Sequence, residues 1–260
     1  MSKEMKKLDK SFLAFAAVGV AALSLVSCDD DKDNMMYYHP YTVNAIVTVK
    51  PIDDSDCYFQ LDDETTLQPI NLKGSPYGDK EVRALVNYYE MVEVVNPNSL
   101  NIYVNWMDSI RTKSTVPTLG DLNDETYGND PIEIVNDWYT VAEDGYLTLR
   151  FRTLSDRSGR VHYVNLLTGV DENDPYTVEL RHDACGDVSG IATDGLIAFN
   201  LNELPDTNGE VVKLTLKWKG YEADKSATFD YCTRKAGDGV VDGAGANGPI
   251  DVESLVLKVN

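Results

Sequence analysis

Residues 211–218 read VVKLTLKW, and from Val212 to Trp218 apolar side chains alternate with polar ones. A period of two places the apolar set on one face of a β-strand, because successive side chains of a strand point to opposite sides. The same alternation runs through Leu147, Leu149 and Phe151. Both segments therefore predict strands with one face in a hydrophobic core.

Seven segments with strand patterns lie in the second half of the chain, separated by turn-forming residues. They cover 132–138, 146–152, 160–167, 176–181, 196–201, 211–218 and 227–232. Seven short strands of this kind predict a β-sandwich. The simplest interpretation places Trp138 and Trp218 in the sandwich core, since Trp218 continues an apolar alternation.

Residues 41–110 have the patterns of about five further strands, at 41–50, 57–61, 65–70, 81–95 and 101–110. Five strands in this length fit a small Greek-key barrel of the OB type. The polar stretch 111–130 contains Pro117, Gly120 and Gly128 and predicts the domain boundary. We therefore expect an all-β protein, with an OB-like domain at 38–115 and a β-sandwich at 116–235, and no segment shows a convincing helical period.

The C-terminal segment 236–260 begins with AGDGVVDGAGANGP at 236–249, a glycine-rich composition typical of a flexible linker. Residues 250–260, IDVESLVLKVN, have the pattern of an extra strand. Terminal segments often fray, so the sequence leaves docking and disorder of this segment as open alternatives.

The N-terminus carries an export address. Four lysines precede the apolar stretch 12–27, FLAFAAVGVAALSLVS, which is short for a membrane-spanning helix. Residues 1–27 have the charged and apolar regions of a secretory signal peptide. They end in LVSC at 25–28, which resembles a bacterial lipobox. We expect cleavage before Cys28 and acylation of its thiol, with several acyl chains giving stable membrane anchoring.

An acidic run follows the lipidation site and predicts a tether over 28–37. It consists of Asp29, Asp30, Asp31, Lys32 and Asp33. This run resembles the export signal that sends lipoproteins of Bacteroidetes to the cell surface. The resemblance implies a protein of the outer membrane, displayed outside the cell. The alternatives are an outer-membrane protein that faces the periplasm, and a run that serves only as a solvated tether.

The chain has a formal net charge of -20, with 23 basic and 43 acidic residues. Such a surface repels phosphate backbones, and no basic stripe overrides it, so nucleic acid is not expected as a partner. An acidic surface favours solubility and can attract cationic partners or divalent ions.

Cysteine and histidine are scarce. Lipidation of Cys28 leaves Cys57, Cys185 and Cys232, so at most one internal disulfide can form, and Cys185 with Cys232 is the favoured pair. Cys185 follows His182 by three residues, but proximity in sequence does not make a catalytic dyad. Gly-x-Ser-x-Gly, Cys-x-x-Cys and His-Glu-x-x-His are all missing from the sequence.

Two acidic loops could supply oxygen ligands for calcium. They are DLNDE at 121–125 and DEND at 171–174, although Thr126 stands where an EF-hand loop needs glycine. Asx-rich turns between strands explain both segments without a metal. Paired carboxylates of a glycosidase cannot be assigned by inventory among 43 acidic residues. We therefore predict no cofactor, no metal and no catalytic residue.

Aromatic residues provide the candidate binding face. OB-like barrels commonly bind oligosaccharides or oligonucleotides on their strand faces. Because the charge disfavours nucleotides, a glycan or a protein of the envelope or the exterior is the expected partner. The candidates on predicted barrel strands are Tyr88, Tyr89, Tyr103 and Trp106.

Five segments together indicate a family: YFQLDDETTLQP at 58–69, RALVNY at 83–88, GNDPI at 128–132, VHYVNL at 161–166 and ELRH at 179–182. Through them the chain resembles the NigD-like lipoproteins of Bacteroidetes over roughly residues 37–235. The resemblance implies an OB-like domain followed by a β-sandwich, and a connection with bacteriocin operons. Gln68, where the family tends to have tryptophan, and the tail 236–260 depart from the family pattern.

The leading hypothesis is a lipid-anchored binding or interaction protein of the outer membrane. A second hypothesis is a role in bacteriocin defence or immunity, which rests on family analogy alone. A third is an enzyme, such as a glycosidase with an unrecognised carboxylate pair. A cleft with two carboxyl groups about 5–10 Å apart would support it.

Overall fold

The computed structural model describes residues 42–91, 98–234 and 250–251. Strands make up most of this part, and they form a closed barrel followed by two packed sheets. The predicted fold class, an OB-like barrel followed by a β-sandwich, is confirmed. The predicted signal peptide 1–27, tether 28–37 and linker 236–249 lie outside the described residues.

The barrel contains five strands in the order β1-β2-β3-β5-β4, and pairing of β4 with β1 closes it. All neighbours are antiparallel except β3 and β5, which run parallel. Closure leaves no sheet edge within the barrel. The strands are β1 (Ala45–Asp53), β2 (Asp56–Gln60), β3 (Thr66–Pro69), β4 (Val82–Glu90) and β5 (Ser99–Ser109).

Both faces of β1 are buried in its first six residues. Val47 and Val49 point into the barrel core, where they meet Phe59, Leu67 and other apolar side chains. The alternate residues of β1 would face solvent in an isolated barrel, because side chains of a strand alternate. Here the sandwich covers them, so the outer side of β1 becomes part of the contact between the domains.

The sandwich consists of two sheets. The first has the order β6-β13-β10-β8, with β9 pairing beside β8 on β10. The second has the order β15-β14-β12-β11, and β16 and β7 pair with the free side of β11. The strands are β6 (Arg111–Ser114), β7 (Val116–Pro117), β8 (Glu133–Ile134), β9 (Val141–Glu143), β10 (Tyr146–Ser155), β11 (Val161–Thr168), β12 (Thr177–Asp183), β13 (Ile191–Asn200), β14 (Val212–Lys219), β15 (Asp224–Tyr231) and β16 (Ile250–Asp251).

The alternating residues of the sequence fill the space between these sheets. Leu147, Leu149 and Phe151 of β10 meet Leu214 and Leu216 of β14 in one buried cluster. Trp218 is only 8% exposed and joins the same cluster, as the alternation predicted. Burial of the apolar side chains in this cluster, worth about 25 cal/mol per Å² of apolar surface, holds the two sheets together.

The stretch 111–130 is more structured than its composition indicates. β6 pairs in parallel with β13, so residues 111–114 extend a sandwich sheet. A 3-10 turn at Gly120–Leu122 leads into a one-turn helix, α1 (Asn123–Tyr127). A helix of five residues is too short to show a helical period in the sequence. Gly128 ends it at φ +79°, where a Cβ would lie 2.5 Å from the carbonyl oxygen of His182, so only glycine fits.

Within the C-terminal segment, Ile250 and Asp251 pair with His162 and Val161 of β11. Of the two alternatives that the sequence left open for 250–260, the structure describes only these first two residues, which are paired. Residues 252–260 lie outside the described residues.

An apolar junction joins the two domains. Ile46 and Leu85 on the outer side of the barrel pack against Leu196 and Ala198 of β13. Ile110, which lies between the two domains in the sequence, belongs to the same cluster. These residues point away from the cores of their own domains. The junction therefore gives the two domains one continuous buried contact.

Candidate functional site

Tyr89 and Tyr103, two of the predicted binding residues, stand side by side on the outside of the barrel. They are directly paired across β4 and β5, and their rings stack with centroids 5.2 Å apart and planes 16° from parallel. Tyr89 is 51% exposed and Tyr103 is 38% exposed. Cross-strand aromatic pairs stabilise a sheet and also present a flat surface to solvent.

The structure places Tyr88 and Trp106 elsewhere. Tyr88 immediately precedes Tyr89 on β4, and neighbouring residues of a strand point to opposite faces. The Tyr88 side chain therefore points inward and packs against the barrel core. Burial raises the pKa of Tyr88. Trp106 packs against the junction between barrel and sandwich. The four predicted residues thus form one exposed pair and two packing residues, and not a single face.

Gln68, which departs from the family pattern, lies on β3. Its amide donates to the carbonyl oxygen of Cys57 at 3.2 Å and to Oδ1 of Asp56 at 3.1 Å. These bonds tie β3 to the neighbouring strand β2. The side chain at this position therefore supports the barrel wall.

Trp138 does not fill the sandwich core, and that expectation was wrong. Its side chain is 49% exposed, and its indole stacks on Tyr139 with centroids 4.0 Å apart. Residues 135–140 form a loop between β8 and β9 and carry Trp138 outside the sheet. The strand pattern of 132–138 ends at Ile134, so the alternation that would turn Trp138 inward stops four residues earlier.

Hydrogen bonds fix the loop that carries Trp138. The amide of Val135 donates to the carbonyl oxygen of Arg150, and the amide of Thr140 donates to the carbonyl of Asp137. The Thr140 hydroxyl donates to the Val135 carbonyl at 2.7 Å. Oδ1 of Asp137 accepts the amide of Tyr139 at 3.0 Å. These hydrogen bonds hold both ends and the middle of the loop, so the backbone that carries Trp138 has a fixed conformation.

A charged network supports the same loop from the sheet. The guanidinium of Arg150 lies over the ring of Tyr139 at 5.8 Å and donates to Asp137 at 2.6 Å. It also donates to Oδ2 of Asp194 at 2.6 Å. Arg152 donates to the same carboxylate from Nε at 2.5 Å and from Nη2 at 2.9 Å. The bonds from Arg152, with those from Arg150, hold the pKa of Asp194 below its usual value.

A second charged network lies buried at the domain junction. The pairs are Lys50 with Asp144 at 3.1 Å, Arg83 with Glu143 at 2.5 Å and Arg234 with Glu81 at 2.7 Å. Each pair joins a barrel residue to a sandwich residue. Burial raises the pKa of Glu143 in spite of its bond to Arg83. Buried ion pairs add little net stability, but removing one partner is costly, so this seam fixes how the domains meet.

His162 and His182 form a buried pair inside the sandwich. Nδ1 of His162 lies 2.9 Å from Nε2 of His182, and Nε2 of His162 lies 3.2 Å from Oδ2 of Asp187. The Ser155 hydroxyl donates to Oδ2 of Asp187 at 2.9 Å. Burial opposes ionisation of Asp187, but bonds from Asp156, His162 and Ser155 lower its pKa overall. These side chains satisfy one another and serve the core of the domain.

Cys185 does not form an activated dyad with His182. Its backbone amide donates to Oδ1 of Asp183, and the histidine instead bonds to Pro131 and His162. Partial burial and the Asp183 charge raise the pKa of the Cys185 thiol. A thiol that is mostly protonated is a poor nucleophile.

The expected disulfide between Cys185 and Cys232 is not formed, and both residues are free thiols, as is Cys57. Cys185 follows the end of β12, and Cys232 follows the end of β15. β12 runs parallel to β14, whereas β15 runs antiparallel to it, so the two cysteines lie at opposite ends of the sheet. An eight-residue strand spans about 26 Å, far beyond the reach of a disulfide.

The acidic loops at 121–125 and 171–174 use their side chains in local bonds. Asn123 accepts the amide of Leu119, and Asp124 binds Arg181. Asp171 accepts the amide of Asn173, and Asp174 accepts that of Tyr176. Over the described residues, no group of three or more metal-binding side chains comes together.

Cys28 and the acidic run from Asp29 to Asp33 lie outside the described residues, so the lipidation and export predictions stay predictions. Where the chain is described, none of its helices has the length and apolar character needed to cross a bilayer.

Together these features define a two-domain all-β protein, an OB-like barrel joined through a buried seam to a β-sandwich with an exposed tryptophan loop. Residues 46–110 match the NigD-like N-terminal OB domain, and residues 114–231 match the NigD-like C-terminal beta sandwich domain. The chain belongs to the NigD-like family.

Solved structures share this fold. A toxin-related protein of Parabacteroides distasonis is 35% identical with a TM-score of 0.61, covering 73% of this chain and 92% of that one. A Bacteroides vulgatus protein of unknown function is 23% identical with a TM-score of 0.58, covering 76% and 93%. A NigD-like immunity protein of Bacteroides caccae is 20% identical with a TM-score of 0.54, covering 74% and 98%, and it shares the fold. No curated protein matches the chain.

Proposed function

We propose that this chain is a lipid-anchored protein of the outer membrane that binds a partner and catalyses no reaction. The observation that carries the binding role is the half-exposed Trp138, held on a hydrogen-bonded loop of the sandwich domain. Exposed tryptophans on ordered backbone are favoured binding anchors, because little conformational freedom is lost when they are covered.

The anchor rests on the sequence LVSC at 25–28 and on the signal-peptide features before it. Acylation of Cys28 would attach the folded domains to the membrane through residues 28–37. The acidic run from Asp29 to Asp33 supports display on the cell surface. An outer-membrane protein that faces the periplasm is the alternative location.

The chemistry of the groups that could act in catalysis supports a binding role. The Cys185 thiol has a raised pKa, and the two buried histidines bond to each other. At the junction, Glu81, Glu143 and Asp144 are each paired with a buried cation. These carboxylates are committed to structure and are unsuited to attack on a glycosidic bond.

A second candidate function is immunity to a bacteriocin. It is favoured by membership of the NigD-like family and by the 35% identical relative, which is described as toxin-related. Deletion of the gene would then raise the sensitivity of the cells to a bacteriocin from neighbouring strains. Unchanged sensitivity across a panel of such strains would contradict this candidate.

Location is tested by treating intact cells with an external protease and blotting for this protein beside a periplasmic marker. Digestion with the marker intact is expected for surface display. Protection would place the domains in the periplasm and reduce the acidic run to a tether. The Cys28→Ala variant should lose metabolic labelling with a fatty acid and leave the membrane fraction.

Binding is tested by cross-linking on intact cells followed by pull-down, with the Trp138→Ala variant as comparison. A partner that is enriched by the wild-type chain and lost with the variant supports the proposal. If no protein is enriched and no glycan binds on an array, the binding role is contradicted.

A further inference from the structure

Trp138 stands at the border of an exposed, polar sheet surface. On β10, Leu149 and Phe151 point into the core, so Arg150 and Arg152 point outward. Asp194 on the neighbouring strand β13 joins the two guanidinium groups, and Arg152 is directly paired with it. Arg150 in turn contacts Tyr139, the ring on which Trp138 stacks. Indole, phenol, guanidinium groups and carboxylate thus form one continuous surface, named here the Trp138 face.

Charge on the Trp138 face is balanced. Arg150 and Arg152 are matched by the carboxylates of Asp137 and Asp194, within a chain whose net charge is -20. A neutral surface offers no attraction to an anionic ligand, and a cationic ligand would meet the two guanidinium groups. The balance therefore favours an uncharged ligand that can both donate and accept hydrogen bonds.

The groups of the Trp138 face are held in place before any ligand arrives. Asp194 accepts bonds from both arginines, and Asp137 bonds to Arg150 and to the Tyr139 amide. Arg152 is 48% exposed, and its bonds to Asp194 come from Nε and Nη2, which leaves the Nη1 edge to solvent. Pre-oriented donors and acceptors beside an aromatic plane lose little entropy on binding.

We infer that the Trp138 face binds a neutral saccharide, an inference that rests on the proposed binding function and names its ligand class. A pyranose ring has an apolar C–H face that can lie on the indole of Trp138. Its hydroxyl groups can accept from Arg152 and donate to the carboxylate of Asp137 or Asp194. Few precisely placed polar groups around an apolar platform are typical of small-ligand sites.

A protein partner fits the same surface less well. The centres of protein–protein interfaces are enriched in arginine but depleted in aspartate, whose carboxylate is costly to desolvate. Beside Trp138 lie two arginines and two aspartates. A saccharide leaves such groups partly hydrated and exchanges water hydrogen bonds for hydroxyl bonds.

The test uses the full chain purified from membranes in an amine-oxide detergent, which carries no sugar. Native gels containing mannan, dextran, xylan or galactan measure retardation, and the acidic polysaccharides alginate and pectin are run in parallel. Titration of tryptophan fluorescence gives the Kd for the polysaccharide that retards the chain most. The variants are Trp138→Ala and Arg152→Ala, with Tyr89→Ala for the alternative site on the barrel and Ile70→Ala, at a side chain that is 52% exposed, as the control.

The expected result is retardation by at least one neutral polysaccharide. Trp138→Ala should weaken binding at least tenfold and Arg152→Ala about three- to tenfold, with Ile70→Ala unchanged. Unchanged thermal melting of each variant shows that folding is intact.

Several outcomes would overturn the inference. These are retardation by none of the neutral polysaccharides, preference for the acidic ones, or equal binding by Trp138→Ala. Loss of binding only in Tyr89→Ala would move the site to the barrel. A protein recovered by the pull-down described above, together with no polysaccharide binding, would leave the binding function standing and refute the saccharide alone.

Discussion

Nδ1 of His162 and Nε2 of His182 lie 2.9 Å apart on paired strands, fully buried between the sheets. Nδ1 of His182 faces the carbonyl oxygen of Pro131 at 3.2 Å, and only a donor can bond there. Nε2 of His182 must then accept the proton of His162. Nε2 of His162 faces the carboxylate of Asp187 at 3.2 Å. Matching donors to acceptors leaves His182 neutral, with its proton on Nδ1.

Acid should destabilise the fold through His182. Burial, with the charge of His162 adding to it, lowers the pKa of His182 from 6.5 to about 4. Between these values the unfolded chain binds a proton that the folded chain does not, so stability is lost as the pH falls through this range. The full effect is of order 3 kcal/mol. Urea unfolding at pH 7.5, 6, 5 and 4.5 measures it.

The control for this pH dependence is His182→Asn, whose side-chain amide can still donate to Pro131. It should be less stable at pH 7.5 and lose less stability on acidification. Glu143 and Asp63 act in the opposite sense, because burial raises the pKa of each carboxyl and the folded chain takes up their protons first. The difference between the two proteins isolates His182. If the free energy of unfolding falls equally with pH in both proteins, His182 is not the source of the acid sensitivity.

Loss of Arg83 should weaken the domain seam strongly. Its buried guanidinium pairs with Glu143 and also donates to the hydroxyl of Thr48 at 3.0 Å. Arg83→Met leaves a carboxylate without its partner and should cost about 3–5 kcal/mol. Adding Glu143→Gln should recover at least about 1 kcal/mol, measured by a double-mutant cycle in urea.

A surface pair provides the reference for that cycle. Lys213 and Asp230 pair on the exposed side of β14 and β15. Lys213→Met should change the free energy of unfolding by less than about 0.5 kcal/mol. If Arg83→Met lowers the free energy of unfolding by no more than Lys213→Met does, the buried ion pairs do not determine how the domains meet.

Gly195 is required by the packing of β13 on the core. A Cβ at this position would lie 2.4 Å from Cζ of Phe151, a side chain that is fully buried. Gly195→Ala should therefore destabilise the chain by about 1–3 kcal/mol through overpacking. Gly159→Ala, where no atom lies within 4 Å, isolates the smaller cost of a positive φ. Equal melting temperatures for the two variants would contradict the steric explanation.

The three cysteines of the domains should behave as separate thiols. Without reductant, iodoacetamide should modify exposed Cys185 in the native chain, faster at pH 9 than at pH 7 because its pKa is raised. Cys57 should react only after unfolding, since burial, with the charge of Asp56, raises its pKa to about 11. Peptide mass spectrometry reads out each site. A linked peptide containing Cys185 and Cys232 would contradict the free-thiol state.

Local patterns were sufficient where a strand has one apolar face. Alternation through Leu214 and Leu216 correctly predicted that Trp218 lies in the core. The same reasoning failed for Trp138, because the strand ends at Ile134 and the loop that follows turns the indole outward. A short loop carries no period, so the sequence gives no direction for its side chains.

Fold class, domain order and the predicted export signal all follow from local features of the chain, namely periodicity, turn residues and the lipobox. Tertiary structure alone decided which distant side chains meet. It stacked Tyr89 on Tyr103, separated Cys185 from Cys232 and brought His162 to His182. These relationships depend on strand order and register, which are set by how the sheets close and pack over the whole chain.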